Sequence, residues 1–246
     1  MRKNGLILIV IFLMLSVNWT SGLAAELFTE IPDPVSNEKS VSDAPEVIRD
    51  RTVRIDFDLL VSGNEPIELN VFDDVTYSAI MDRRQNNQDG SFTWIGMIQN
   101  QPESSVVLTA NLETRIVSGT VFVDFKTYAI NYVDRDVYSI VEIDPSQFPE
   151  DDDSPVLDSD EPVDSTPDST SENTSAKKVS DPGNIMTILV VYTTRVLNEL
   201  PGSTVKQKEE VLRSRIYTEL VSANQSFAAS GIKTELEVAY FLHTSY

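Results

Sequence analysis

A single histidine, His243, lies close to the last residue, and the chain contains no cysteine. Zinc sites take three or four ligands from His, Cys or carboxylate side chains, often two on one helical turn. No His-Glu-x-x-His stretch and no second imidazole occur, so His243 reads as a surface or packing residue and the metal-ligand set is none. The absence of cysteine removes disulfides, thiolate ligands, Cys nucleophiles and a cysteine-based latency switch. No Gly-x-Ser-x-Gly elbow marks a nucleophilic serine. No Walker loop or Gly-x-Gly-x-x-Gly fingerprint marks a nucleotide site. Acidic residues cluster at Glu150-Asp151-Asp152-Asp153, but the alternating acids, central Gly and closing Glu of a calcium loop are missing. Carboxylates in an unstructured run also lack the fixed, dry surroundings that general acid–base work needs. The chain as given therefore carries no catalytic set and no cofactor-binding set.

The elements around these residues follow from pattern. The chain has 246 residues, 41% of them hydrophobic, and a net charge of −20. That apolar content supports a real core, and the acidic excess argues against a nucleic-acid partner, which needs Lys and Arg against phosphate. Arg2 and Lys3 precede an apolar run from Leu6 to Val17, and small residues follow at Gly22-Leu23-Ala24. This is the layout of a signal peptide over 1–25, with Ala24 and Ala25 as cleavage candidates. The run is short for a permanent membrane span, so the expected location is outside the cell, secreted.

Residues 26–50 are rich in Pro, Ser, Asp and Glu and read as a flexible leader. Val53, Ile55, Phe57 and Leu59 then alternate with polar residues, which predicts a strand. Further strands are expected over 67–71, 75–77, 92–98, 105–110, 115–125, 127–133 and 137–143, with turns near Asn111, Gly119 and Asp134-Arg135-Asp136. Such short spacings leave no room for crossover helices, so an antiparallel all-β domain over 51–148 is expected. Trp94 fits its core. Residues 149–183 are acidic and nearly free of large apolar side chains, predicting a disordered linker with Lys177 and Lys178 as processing candidates.

Ile185 to Tyr192 is a strand-length apolar run. Pro201-Gly202 breaks the chain, and Ser203 or Thr204 can cap a helix. Val205, Leu212, Ile216, Leu220, Ala223 and Phe227 form one apolar helical stripe, which stops at Ser230-Gly231. Leu236, Val238, Tyr240 and Leu242 alternate as a second strand. This α/β strand-helix-strand unit would leave at least one sheet face bare, and α+β is the fold class of the whole. Asn173-Thr174-Ser175, Asn224-Gln225-Ser226 and Asn18-Trp19-Thr20 match the glycosylation pattern, a weak signal for Asn224 because it lies in the predicted helix.

Several stretches taken in order resemble a known family. Phe92-Thr93-Trp94-Ile95-Gly96, Pro102-Glu103-Ser104-Ser105-Val106, Val117-Ser118-Gly119-Thr120-Val121 and Val141-Glu142-Ile143-Asp144 resemble the propeptide of secreted metzincin-type zinc proteases. The narrower resemblance is to the reprolysin-like, peptidyl-Asp metalloendopeptidase group. Ile188-Leu189-Val190-Val191-Tyr192-Thr193 resembles the first strand of their catalytic domain, and Asn224 to Ile232 the end of its first long helix. The resemblance implies a precursor whose β-rich propeptide contacts a protease catalytic domain, within one chain or in trans. It implies zinc in complete members, bound by a segment that these residues lack. The expectation is the N-terminal portion of a zinc metalloendopeptidase precursor, with 184–246 the truncated start of its catalytic domain, inactive as given. The other reading is an exported, non-enzymatic β-domain that binds or inhibits a protease or another partner.

Overall fold

The computed structural model describes residues 25–31, 44–62, 66–148 and 184–244. They form a nine-stranded sheet and a two-stranded sheet, with helices few in number. The larger sheet contains β1 (Phe28–Glu30), β2 (Val47–Ile55), β3 (Ile67–Phe72), β4 (Val75–Asn86) and β5 (Phe92–Ile98). It continues with β6 (Gln101–Asn111), β7 (Ile116–Val123), β8 (Lys126–Asp134) and β9 (Val137–Ile143). Its order is β1-β2-β9-β8-β7-β6-β5-β4-β3, and its ladders are antiparallel. The expected all-β domain is present, and the chain as a whole is α+β.

Tight turns make this meander. Asp124 and Phe125 both have positive φ, 51° and 62°, the backbone that a two-residue hairpin loop of matching twist requires. The Asn111 side chain accepts from the N–H groups of Glu113 and Thr114, which turns the chain from β6 into β7. Gly119 does not make a turn. It sits within β7, opposite Leu108 of β6 and Ile130 of β8. A Cβ there would lie 3.0 Å from the Val107 carbonyl oxygen and would overlap the Leu108 side chain. Glycine at this position is a packing requirement rather than a turn signal.

The sheet rolls into a nearly closed barrel. Trp94, Leu108, Ile130 and Ile140 fill one row across its interior, with Tyr128, Tyr132, Tyr138, Phe28 and Phe92 around them. The Tyr138 hydroxyl donates to the Arg115 carbonyl, and Tyr132 packs edge-on against Tyr138. Burial raises the Tyr138 and Tyr128 phenols above their ordinary pKa.

Three expectations are corrected. The leader over 26–50 contributes part of the barrel: Leu27 and Phe28 are buried, β1 pairs with β2, and β2 begins at Val47. Two apolar residues in a polar stretch give no periodicity, yet both belong to the buried core. The alternation through Phe57 and Leu59 is not one strand, because β2 ends at Ile55 and a short helix α1 (Phe57–Ser62) follows. Asp56 accepts from the Asp58 N–H, a local bond that competes with the ladder, and the helix buries Phe57 and Leu60 instead of Leu59. The strand expected over 75–77 extends to Asn86, its polar second half being largely exposed. The expected linker over 149–183, with Lys177 and Lys178, lies outside the described residues, as do Ala24 and most of 1–25.

The remaining elements are β10 (Asn184–Thr193), α2 (Thr194–Glu199), α3 (Val205–Ala229) and β11 (Thr234–Thr244). Strands β10 and β11 pair in parallel, as a strand-helix-strand crossover requires. Among the described residues no helix is long and apolar enough to cross a membrane.

The Trp94 indole lies against Gly96, where a Cβ would overlap both the ring and the Ile80 carbonyl. Gly96→Ala should therefore destabilise the barrel by about 1–3 kcal/mol through overpacking. Urea unfolding followed by tryptophan fluorescence measures this, and an unchanged midpoint would contradict the packing described.

Candidate interdomain interface

Helix α3 is built to stay helical at both ends. Thr204 caps it, accepting from the Gln207 N–H at 3.2 Å, while the Gln207 side chain accepts from the Thr204 N–H at 3.2 Å. It stops where Gly231 takes φ +73° and the Ile232 N–H donates to the Phe227 carbonyl.

The helix has two working faces. Leu212, Ile216, Tyr217 and Leu220 pack with Tyr192, Leu197, Val238 and Phe241, which joins α3 to β10, β11 and α2. Tyr217 meets Phe241 edge-on with ring centres 5.6 Å apart, and burial raises its phenol pKa to about 12. This accounts for the middle of the expected stripe. Val205, at its start, is 61% exposed.

The second face was not legible as apolar. Ser214 and Thr218 are buried, flanked by Val211 and Val221, and they meet the outer surface of β6 and β7. Thr93, Thr109 and Ser118 form a row of hydroxyl side chains on that surface, directly opposite one another across β5, β6 and β7. The Ser214 hydroxyl donates to the Thr109 carbonyl at 3.2 Å. The Thr218 hydroxyl lies 2.9 Å from Thr109 Oγ1, 3.2 Å from the Ser118 carbonyl and 3.0 Å from the Ser214 carbonyl. Thr109 Oγ1 is 3.0 Å from Thr93 Oγ1, and the Asn87 side chain donates to Thr93 Oγ1 at 3.1 Å. A continuous polar chain thus runs from the β4–β5 turn to α3.

Contacts at the margin follow the same plan. The Ser105 hydroxyl donates to Gln225 Oε1 at 2.6 Å, and Gln88 Nε2 donates to the Val238 carbonyl at 3.3 Å. Val221 packs on Ile95 and Val107. Arg215 is partly buried on the same helix, burial lowers its pKa, and its Nε has no partner among the described residues.

The residues singled out from sequence are placed as follows. Trp94 is in the barrel core. Ala25 is tied to the sheet, its carbonyl accepting from the Glu68 N–H at 3.2 Å. The Asn224 side chain donates to the Leu236 carbonyl at 2.9 Å and accepts from the Leu236 N–H at 2.8 Å, so it pins α3 to β11. Asn173 lies outside the described residues. The His243 ring stacks on Tyr192 at 5.2 Å, and its Nε2 is 3.1 Å from Thr194 Oγ1. Among the described residues no group of three or more His, Cys, Asp or Glu side chains is arranged to hold a metal. His243, with aromatic and hydroxyl neighbours, does not fit a zinc site.

The alternation read for β11 also shifts. A bulge places Ala239 without a partner, so Val238 and Phe241 face α3, whereas Tyr240 and Leu242 are exposed. Leu189 and Val191 of β10 lie beside them, which leaves the face opposite α3 bare, as expected of the isolated unit.

No family model matches the chain, and no curated protein matches it. A solved structure described as "Structure of a chaperone-substrate complex" is 10% identical, covers 47% of this chain and 86% of its own, and has a TM-score of 0.36. A likeness that loose carries no functional argument.

The interface itself is open to test. Thr218→Val keeps the shape of the side chain and removes its buried bonds to Thr109, Ser118 and Ser214, which should cost about 1–3 kcal/mol in urea unfolding. The cost should shrink when Thr109→Val is added, since replacing both partners removes the unpaired group. Fully additive losses would show that the two hydroxyls do not act together.

Proposed function

We propose that this chain is the N-terminal portion of a secreted zinc metalloendopeptidase precursor. In this reading the β-domain is the propeptide, and the unit from β10 to β11 is the start of the catalytic domain. The observation that carries the reading is the burial of Ser214 and Thr218 of α3 on β6 and β7. The α/β unit has a small core of its own and one bare sheet face, so it gains its second covered surface from the β-domain. That is the relation of a folding template to the fold it supports. The ordered resemblance from Phe92 through Ile232 points the same way, as does the signal-like start.

The β-domain therefore acts as a cover and a template, in contact with the catalytic part within one chain. The alternative, an exported β-domain that binds a protease in trans, would use the same outer face of β6 and β7. Zinc belongs to complete members, since these 246 residues contain one histidine and cannot assemble the expected ligand set.

Two measurements test this. The purified chain should neither cleave casein nor bind stoichiometric zinc tightly, and chelator-sensitive proteolysis would overturn the assignment of inactivity. With a specific protease site placed at Lys177-Lys178, the cut halves should stay together on gel filtration. After separation in mild urea and dilution, the 184–246 half should lose its helical signal unless the β-domain is returned. A separated half that folds alone would remove the template role.

A further inference from the structure

The barrel is closed by two different kinds of bond. At one end of the seam, the Leu27 N–H donates to the Glu68 carbonyl at 2.8 Å, and the Asn70 side chain bonds both the N–H and the carbonyl of Phe28 at 3.0 and 2.7 Å. Beyond Glu30 the arrangement changes. Val47 to Val53 of β2 pair with β9 on one side, while β1 reaches only Val53 to Ile55 on the other. Among the described residues, the facing element across the remaining gap is the β3–β4 corner. The gap is an open cleft of roughly 300 Å³ lined by Glu30, Arg51, Thr52, Phe72 and Asp73 among others.

Among the described residues only side chains cross it. Arg49 reaches Asp74 at 2.7 Å and covers the Phe72 ring at 4.0 Å, and Arg51 reaches Asp73 at 3.1 Å. The two acids are 67% and 85% exposed, so these pairs are weak and screened by salt. Arg49 has a separate anchor on its own side of the gap. Its Nε meets Glu142 of β9 at 2.6 Å, and Lys126 of β8 meets the other Glu142 oxygen at 3.4 Å. The opening half of the seam thus has Glu30, Arg49, Asp50, Arg51, Lys126 and Glu142 on one side and Asp73 and Asp74 on the other.

We propose that this half of the seam is a salt- and acid-sensitive joint: neutralising or screening Asp73 and Asp74 frees the β3–β4 corner and opens the Val47–Thr52 strand edge. The remaining strands stay paired, because their backbone ladders do not depend on these charges. The sign with pH follows from Asp74, whose carboxyl the Arg49 guanidinium holds below the usual carboxylate range. A carboxyl shifted that way stabilises the closed seam above its unfolded pKa and loses that contribution as pH falls through the folded one.

Hydrogen exchange on the full chain at pH 7 tests the joint, in about 0.02 M and about 0.5 M salt. In high salt, amides of Val47–Thr52 and Ile67–Phe72 should exchange faster while β5 to β8 stay unchanged. Asp73→Asn with Asp74→Asn should reproduce the effect in low salt, by roughly 2- to 30-fold from two exposed pairs. Asp82→Asn, an exposed acid outside the seam, should match the wild type. Arg51→Glu combined with Asp73→Arg should restore protection relative to either change alone. No change at the seam, or a rise spread evenly over the sheet, would overturn the proposal, and the wild-type salt comparison decides it even if a variant fails to fold.

Discussion

Everything beyond the barrel depends on the hydroxyl-lined contact between α3 and the outer face of β6 and β7. A strand-helix-strand unit with two strands buries little apolar surface, and here it leaves Leu189, Val191, Tyr240 and Leu242 exposed. Small units of this kind are marginal by themselves. Helix α3 escapes that limit by serving two layers at once. Its leucine and tyrosine face holds β10 and β11, and its Ser214 and Thr218 face holds the barrel. Hydroxyls are a particular choice for that second role. They add modest net stability but demand a fixed register, because a displaced Thr218 would lose its bonds to Thr109 and the Ser118 carbonyl in a buried setting. An interface of that composition is specific yet more separable than an apolar one of equal size.

The barrel presents this surface through the two-residue period of its strands. Trp94, Leu108, Gly119 and Ile130 point into the interior along one row. Thr93, Thr109 and Ser118, each one residue earlier or later, make the adjacent row outside. The same register therefore sets core packing and docking surface. Gly119 keeps the inner row from being overfilled between Leu108 and Ile130. Any slip of one residue would exchange the rows, burying hydroxyls inside and offering Leu108 and Ile130 to the helix.

Closure of the barrel follows a different logic at its two ends. Backbone bonds and the Asn70 clamp join β1 to β3, whereas guanidinium–carboxylate pairs span the gap between β2 and the β3–β4 corner. The difference arises because β1 is only three residues long and leaves half of β2 without a partner on that side among the described residues.

Much of the architecture was written in local pattern. The strands from Phe92 to Ile143, the cap at Thr204, the stop at Ser230-Gly231 and the bare sheet face all follow from periodicity and turn chemistry within a few residues. What local pattern missed has one cause in each case. Leu27 and Phe28 are too few to show a period, yet they are core because the sheet rolls over them. Phe57 joins a helix because Asp56 captures a nearby N–H. Gly119 looks like a turn and is a packing gap. The bulge at Ala239 exchanges Tyr240 for Phe241. Ser214 and Thr218 lie off the apolar stripe, and only a second sheet, 100 or more residues earlier in the chain, makes them buried. By itself the sequence determined most of the strands, the long helix and the fold class, because those depend on neighbours in the chain. The tertiary structure alone decided that α3 is shared between two sheets, because a hydroxyl is surface or interface according to what distant residues place against it.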